Sequence, residues 1–386
     1  MKIRNFEDLM KYVDKYKNNP RKMSKIKGNF IEYLSLCSQE NIMIFINQIK
    51  NIPEMENTLY YKSDSICKKF GIETILRMTQ EMSLTSRFEY IHEMYEGYRL
   101  KYYTLDEYVE DLIANNESEY ICENMKQLID LGNIQSLIKS GLLEKIKQLN
   151  PDKFKETHSA IVCKMSGIRP QFLNSTTLYG LTKIVNEVAQ NENVDISDIE
   201  YIGRGSLANV YKLGNKTIKF GESRITDKIP YHKRILQPLL RRRVTGNLYI
   251  EVSEYLSPDN LITDEDAYLI YKELRDDGII WLDAKKENLG RLEKDNIAYF
   301  KDMLSVKNET VGYIPETIQQ DEPLHKGDLV ILDTDFLFQE KDFDGTLFGR
   351  RINTHFYEVC EQRYQEEKNV KKSKGVISNL SNVEER

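Results

Sequence analysis

No apolar run in this sequence approaches the ~18–20 residues that a membrane-crossing helix requires. Its start, Met1-Lys-Ile-Arg-Asn-Phe-Glu-Asp, enters a charged amphipathic pattern and contains no apolar signal core. The expected compartment is therefore the cytoplasm, with signal-independent export left open, and no membrane partner is expected. The five cysteines (Cys37, Cys67, Cys122, Cys163, Cys360) are dispersed without a Cys-x-x-Cys pair. An odd, scattered set reads as reduced thiols, which excludes a disulfide framework and a cysteine-based zinc site. The five histidines show no His-Glu-x-x-His spacing. A basic excess is also missing: the formal net charge is −6, which argues against nucleic acid as a partner.

What is present fits a soluble chain of two or three domains, since 386 residues with 40% apolar content can bury sizeable cores. Residues 1–150 read as successive amphipathic helices. Phe6, Leu9, Met10 and Val13 fall at helical spacing, as do Phe30, Tyr33, Leu34 and Cys37. Further helices fit Thr74–Glu81, Arg87–Tyr98, Leu105–Ala114 and Tyr120–Leu131. Asn150-Pro151-Asp152 is a stop and restart signal. Tyr95, Tyr98, Tyr102 and Tyr103 crowd around Glu93, Glu96 and Arg99, as a polar recognition surface or as half-buried helix edges. Nothing in this half carries a catalytic signature, so its expected role is recognition of a partner or regulation.

Ser175–Asn191 fits one more helix, with Leu178, Leu181, Ile184, Val185 and Val188 on one face. A polar connector follows, which places a domain boundary near residue 190. Beyond it, Gly203-x-Gly205 ends one short alternating segment and Val210–Leu213 begins a second. Gly214-Asn215 supplies a hairpin turn into Lys216–Phe220. Three strands with glycines at the first bend make a flap whose backbone can approach phosphates closely, and Lys219 in the third strand can reach them as a point charge. Tyr231–Arg243 reads as a basic helix interrupted by Pro238. Leu248–Leu256 reads as strands into a hinge, Asp264–Asp276 as an amphipathic helix, and Asp328–Phe338 as a buried strand ending in two carboxylates, Asp333 and Asp335.

These pieces occur in an order that resembles the protein kinase superfamily. Gly203-Arg-Gly205-Ser-Leu-Ala208-Asn-Val210 is similar to the glycine-rich loop, with Ala208 in place of the third glycine. Asp283-Ala-Lys285-Lys-Glu-Asn288 resembles the catalytic loop, in which the Asp is the base and the Asn binds metal. Lys285 matches the lysine found two positions after that Asp in many serine/threonine kinases. Asp333 stands where the family's second metal ligand stands, and Asp335 replaces the Gly of Asp-Phe-Gly as a further magnesium ligand or a turn residue. Glu254-Tyr-Leu256 resembles the segment that meets adenine through its backbone. The resemblance implies an α+β chain with a two-lobed, protein-kinase-like domain, a small β-rich lobe and a reduced helical lobe, behind an all-α helical domain. The implied boundaries are 1–190, 191–362 and a flexible charged tail at 363–386. It implies an ATP- and Mg2+-dependent serine/threonine protein kinase with Asp283, Lys285 and Lys219 as catalytic residues. Gly203, Gly205, Ala208, Val210, Lys219, Glu254 and Leu256 would hold ATP, and Asn288, Asp333 and Asp335 the metal. A small-molecule kinase of the aminoglycoside or choline type and a nucleotide-binding pseudokinase scaffold are the alternatives.

Four departures accompany the resemblance. No Glu lies between Glu222 and Glu251 to orient Lys219, and the spacing points instead to Gln237. Trp281-Leu282 replaces His-Arg before Asp283, which removes the usual partner of a phosphorylated activation loop. The Asn288–Asp333 interval is long and carries a helical pattern at Asp295–Val306, and no Ala-Pro-Glu element follows Asp333.

Overall fold

The computed structural model describes residues 2–96, 103–168, 173–204, 208–222, 229–230, 232–236, 238–245, 248–293, 312–313, 325–343 and 355–381. The chain is α+β with a helical majority and divides into two compact units, Met1–Ile161 and Val162–Arg386. Among the described residues, no helix is long and apolar enough to cross a membrane.

The first unit is all-helical in its described residues. Local sequence sets its breaks. Asn150 caps the Pro151–Lys155 helix by accepting the Lys153 N–H, so the expected restart occurs there. Thr104 and Glu107 close a reciprocal capping box at the start of the Leu105–Ala114 helix. The span expected as one helix from Tyr120 to Leu131 is two, Ser118–Glu123 and Met125–Leu131. Asn124 separates them, and its side-chain amide donates to the Tyr120 carbonyl in competition with the backbone ladder. Long-range order depends on Arg87, which is fully buried. Its guanidinium donates to both Glu117 oxygens (2.7 and 2.8 Å) and to the Leu76 carbonyl (2.7 Å). An arginine is found this deep only when its donors are so matched. Of the tyrosine cluster, Tyr98 and Tyr102 lie outside the described residues; Tyr103 is buried and its hydroxyl donates to Asp111.

In the second unit the Ser175–Asn191 helix buries Leu181, Ile184, Val185 and Val188 of the expected face, while Leu178 is half-buried. The strands are β1 (Glu200–Arg204), β2 (Ala208–Leu213), β3 (Lys216–Glu222), β4 (Leu240–Thr245), β5 (Leu248–Glu254), β6 (Ile279–Trp281), β7 (Leu289–Arg291), β8 (Gly312–Tyr313), β9 (Leu329–Ile331) and β10 (Leu337–Gln339). One antiparallel sheet runs β1-β2-β3-β5-β4-β8, and two small pairs, β6/β10 and β7/β9, stand apart from it.

Three expectations are corrected. The division falls at Ile161/Val162, not near residue 190, because residues after 162 are fastened to the sheet. The buried Tyr211 hydroxyl donates to the Met165 carbonyl (3.2 Å), and Glu192 holds Lys216 at 2.8 Å. The Tyr231–Arg243 segment is not a helix in its described residues: it ends in strand β4. Leu236 N–H goes to Ile331 O and Leu239 N–H to Val252 O, so long-range partners take donors that a helix would keep, and Pro238 has none to give. The expected tail from residue 363 is instead part of the His355–Ser381 helix. There Arg363 pairs with Glu265 (2.7 Å), and its guanidinium lies 3.7 Å over the Tyr268 ring. The helical pattern at Asp295–Val306 lies outside the described residues.

The β2–β3 turn gives a direct test of the sheet's attachment. Gly214 sits at φ +60°, and an added Cβ would come within 2.6 Å of Glu192, whose carboxylate also accepts the Asn215 N–H at 2.9 Å. Gly214→Ala is expected to cost about 1–2 kcal/mol from the left-handed backbone alone, read by chemical denaturation. An unchanged midpoint would mean that the turn relaxes freely.

Candidate active site

The position of Asp283 is set by β6. Ile279 and Trp281 enter one apolar cluster with Tyr271, Leu274 and Leu337, while Ile280 and Leu282 enter another with Phe336 and Phe338. Alternate side chains buried in opposite directions define a strand covered on both faces. The strand is pinned by β10, with Leu337 opposite Trp281 and Leu282 N–H donating to Phe336 O. The chain then turns, and Asn288 folds back. Its side-chain nitrogen donates to the Asp283 carbonyl (2.9 Å) and to Asp283 Oδ2 (2.8 Å). Lys285 Nζ lies 2.7 Å from the same carboxylate oxygen. The Asp-x-x-x-x-Asn spacing therefore closes into a single hydrogen-bonded turn. β7 and β9 bring its end to the next piece: Leu289 faces Ile331, and Leu332 N–H donates to Asn288 O (2.8 Å). Asp333 follows immediately.

A cavity of about 330 Å³ lies between the sheet and this turn. Eight expected residues line it: Ala208, Val210, Lys219, Glu254, Leu256, Asn288, Asp333 and Asp335. Asp283 and Lys285 are not among its walls but are tied to it through Asn288. Gly203 ends a bulge in β1 beside Ile202, another wall residue. Gly205 and Gln237 lie outside the described residues. Tyr255 N–H, which adjoins the expected adenine-facing backbone, is taken by Asn215 O at 2.9 Å. Glu254 pairs with the buried Lys216 (3.1 Å), which also holds Glu192.

Lys219 is buried, with Nζ 2.8 Å from Asp333 and 2.7 Å from Asp335. Burial alone would lower its pKa, but these two carboxylates outweigh it and hold the amine well above its ordinary range. Asp335 differs from its neighbour. Its side chain is 6% exposed against 30% for Asp333. The expectation of Asp335 as a magnesium ligand meets a carboxylate already fully engaged. Besides Lys219, it accepts Arg241 Nη2 (3.2 Å) and the Tyr249 hydroxyl (2.6 Å to either oxygen). Burial opposes its ionisation, yet Lys219 and Arg241 keep it below the usual carboxylate range.

Sequence reasoning missed Arg241, Tyr249 and Glu251. Arg241 Nη1 lies 2.6 Å from the buried Glu251, and its guanidinium stacks 4.1 Å over the Tyr249 ring. Complete burial pushes Glu251 above the ordinary carboxylate range, although Arg241 and Lys219 pull it down. A signal existed: Tyr249, Glu251 and Ser253 alternate with Ile250 and Val252, which marks one polar face of a strand.

The donor set suits a hard cation in one respect. Asn288 spends its amide nitrogen on Asp283, leaving its carbonyl oxygen, and Asp333 is the more open carboxylate. Oxygen ligands of this kind suit Mg2+, which takes one or two from protein and the rest from phosphates and water. Among the described residues, no cluster of three or more His, Cys, Asp or Glu could hold a metal ion. Compared with protein-family models, curated proteins and solved structures, the chain finds no match.

Proposed function

We propose that the second unit is an ATP- and Mg2+-dependent phosphotransferase of two-lobed, protein-kinase-like fold, acting on Ser or Thr hydroxyls of a protein. One observation carries the reading: the Asn288 amide closes on Asp283, while Asn288, Lys219 and Asp333 face one cavity. In this reading Asp283 accepts the proton of the attacking hydroxyl, a role that needs an oriented carboxylate. Asn288 and Lys285 fix that orientation from two sides. Lys219 supplies positive charge to the phosphates, and Ala208, Val210 and Leu256 offer apolar walls to the base. Asn288 and Asp333 would hold magnesium, which supplies charge neutralisation to the phosphates. The chain's own contribution is positioning and electrostatics in a partly dry site. The helical first unit is assigned recognition of the protein substrate.

The test is transfer of radiolabelled γ-phosphate from ATP with magnesium, using wild type and Asp333→Ala. Label on the protein or a generic acceptor, lost in Asp333→Ala and on chelation, is the expected result. A protein that shows neither transfer nor a nucleotide-induced thermal shift would sink the reading. Binding without transfer to any acceptor, protein or small molecule, would favour a nucleotide-binding scaffold.

A further inference from the structure

The family pattern leads one to expect Lys219 to be oriented by a glutamate on the helix after β3. That helix is replaced, in the described residues, by β4. Lys219 nevertheless has two carboxylates, and they are not equivalent. Asp333 is the more exposed, and it meets Lys219 and the Asp335 N–H. Asp335 is buried, and three donors from three strands converge on it: Lys219 from β3, Arg241 from β4 and Tyr249 from β5. Arg241 is in turn fixed by Glu251 and by the Thr334 hydroxyl (3.3 Å). A side chain held this way cannot swing out to a cation without taking one of their two carboxylates from each of Lys219 and Arg241. It can, however, hold a lysine amine in one place.

We infer that Asp335 is the positioning residue for Lys219, anchored by Arg241 and Tyr249, and that Asp333 alone of the pair is left for the metal. This rests on the phosphotransferase reading and deepens it. The orienting carboxylate then arrives on the same short segment as the metal-facing one, two residues apart. Lys219 is set by the sheet and this segment.

The experiment uses the full chain and compares wild type, Asp335→Asn, Tyr249→Phe, Lys219→Met and the double variant Asp335→Asn/Lys219→Met. Each is followed by ATP-dependent phosphate transfer, nucleotide-induced thermal shift and melting without nucleotide. Asp335→Asn is expected to lower kcat about 10- to 100-fold, the scale of a hydrogen bond to a charged group. Tyr249→Phe keeps the ring on Arg241 and is expected to lower kcat about 3- to 10-fold; it carries the test should Asp335→Asn not fold. The decisive readout is non-additivity. If Asp335 acts through Lys219, then Asp335→Asn adds no further loss of kcat in the Lys219→Met background. A purely structural residue would lower the rate equally in both backgrounds, and that result overturns the inference, as do unchanged rates in Asp335→Asn or Tyr249→Phe. Wild type that neither binds ATP nor transfers phosphate overturns the underlying reading, and the positioning role with it.

Discussion

Asp283→Ala is expected to lower phosphate transfer by about 10²- to 10⁴-fold, the range for loss of a positioned general base, while the nucleotide-induced thermal shift persists. Nucleotide binding should survive because the cavity walls do not include Asp283. The turn should survive in part, because Asn288 still has the Asp283 carbonyl to bond. Alanine removes two functions at once, the proton acceptor and the partner of Lys285. Asp283→Asn separates them in part: its side-chain carbonyl oxygen can still accept from Lys285 and Asn288 but takes no proton at neutral pH. A rate as low in Asp283→Asn as in Asp283→Ala would place the loss on proton acceptance. Turnover at the wild-type rate in either variant would remove Asp283 from the chemistry.

The second large effect is on stability. Arg241→Met leaves Glu251 and Asp335 buried with one cation, Lys219, between them and Asp333. Breaking a buried ion pair from one side costs about 3–5 kcal/mol. For a unit of this size that corresponds to a fall in melting temperature of roughly 6–20 °C. The protein carries its own reporter, since Trp281 is the single tryptophan and is fully buried in this unit. Its emission should shift to the red on unfolding, at a lower denaturant concentration in the variant. Arg241→Met/Glu251→Met, which removes both charges, should recover part of the loss. A cost below about 1 kcal/mol for Arg241→Met would match a solvated surface pair and would contradict the burial of this cluster.

What the sequence made legible was local or strongly periodic. The Asp264–Asp276 helix is found with the expected bounds, because Thr263 and Asp266 form a capping box and its apolar residues recur at helical spacing. The hairpin at Gly214-Asn215 was likewise written in a few adjacent residues. What escaped depended on partners far along the chain. Ile235, Leu236, Leu239 and Leu240 have helical spacing, yet β4 forms because β5 and β8 pair with it, while Ile331 of β9 exchanges backbone bonds with Arg234 and Leu236. Arg241-Arg242-Arg243, taken by sequence alone, fits a docking patch or a solvated helix end. Arg241 is buried because Asp335, distant in sequence, meets it. The helix through Gln365 was masked by its polarity. Its charges are matched by residues of the Asp264–Asp276 helix, as in Lys272–Glu367 and Tyr364–Asp276, rather than by water.

The double burial of β6 has a genetic consequence. Asp283 sits two residues beyond the side chain of Trp281 and one beyond Leu282, which belong to separate apolar clusters. Small volume changes in either cluster tilt the same short strand, and a carboxylate at its end moves with it. Conditional alleles of this protein should therefore gather among residues such as Leu274, Leu337, Ile280 and Phe338, which do not line the cavity. Their phenotype would be silence at a temperature where the chain is still folded.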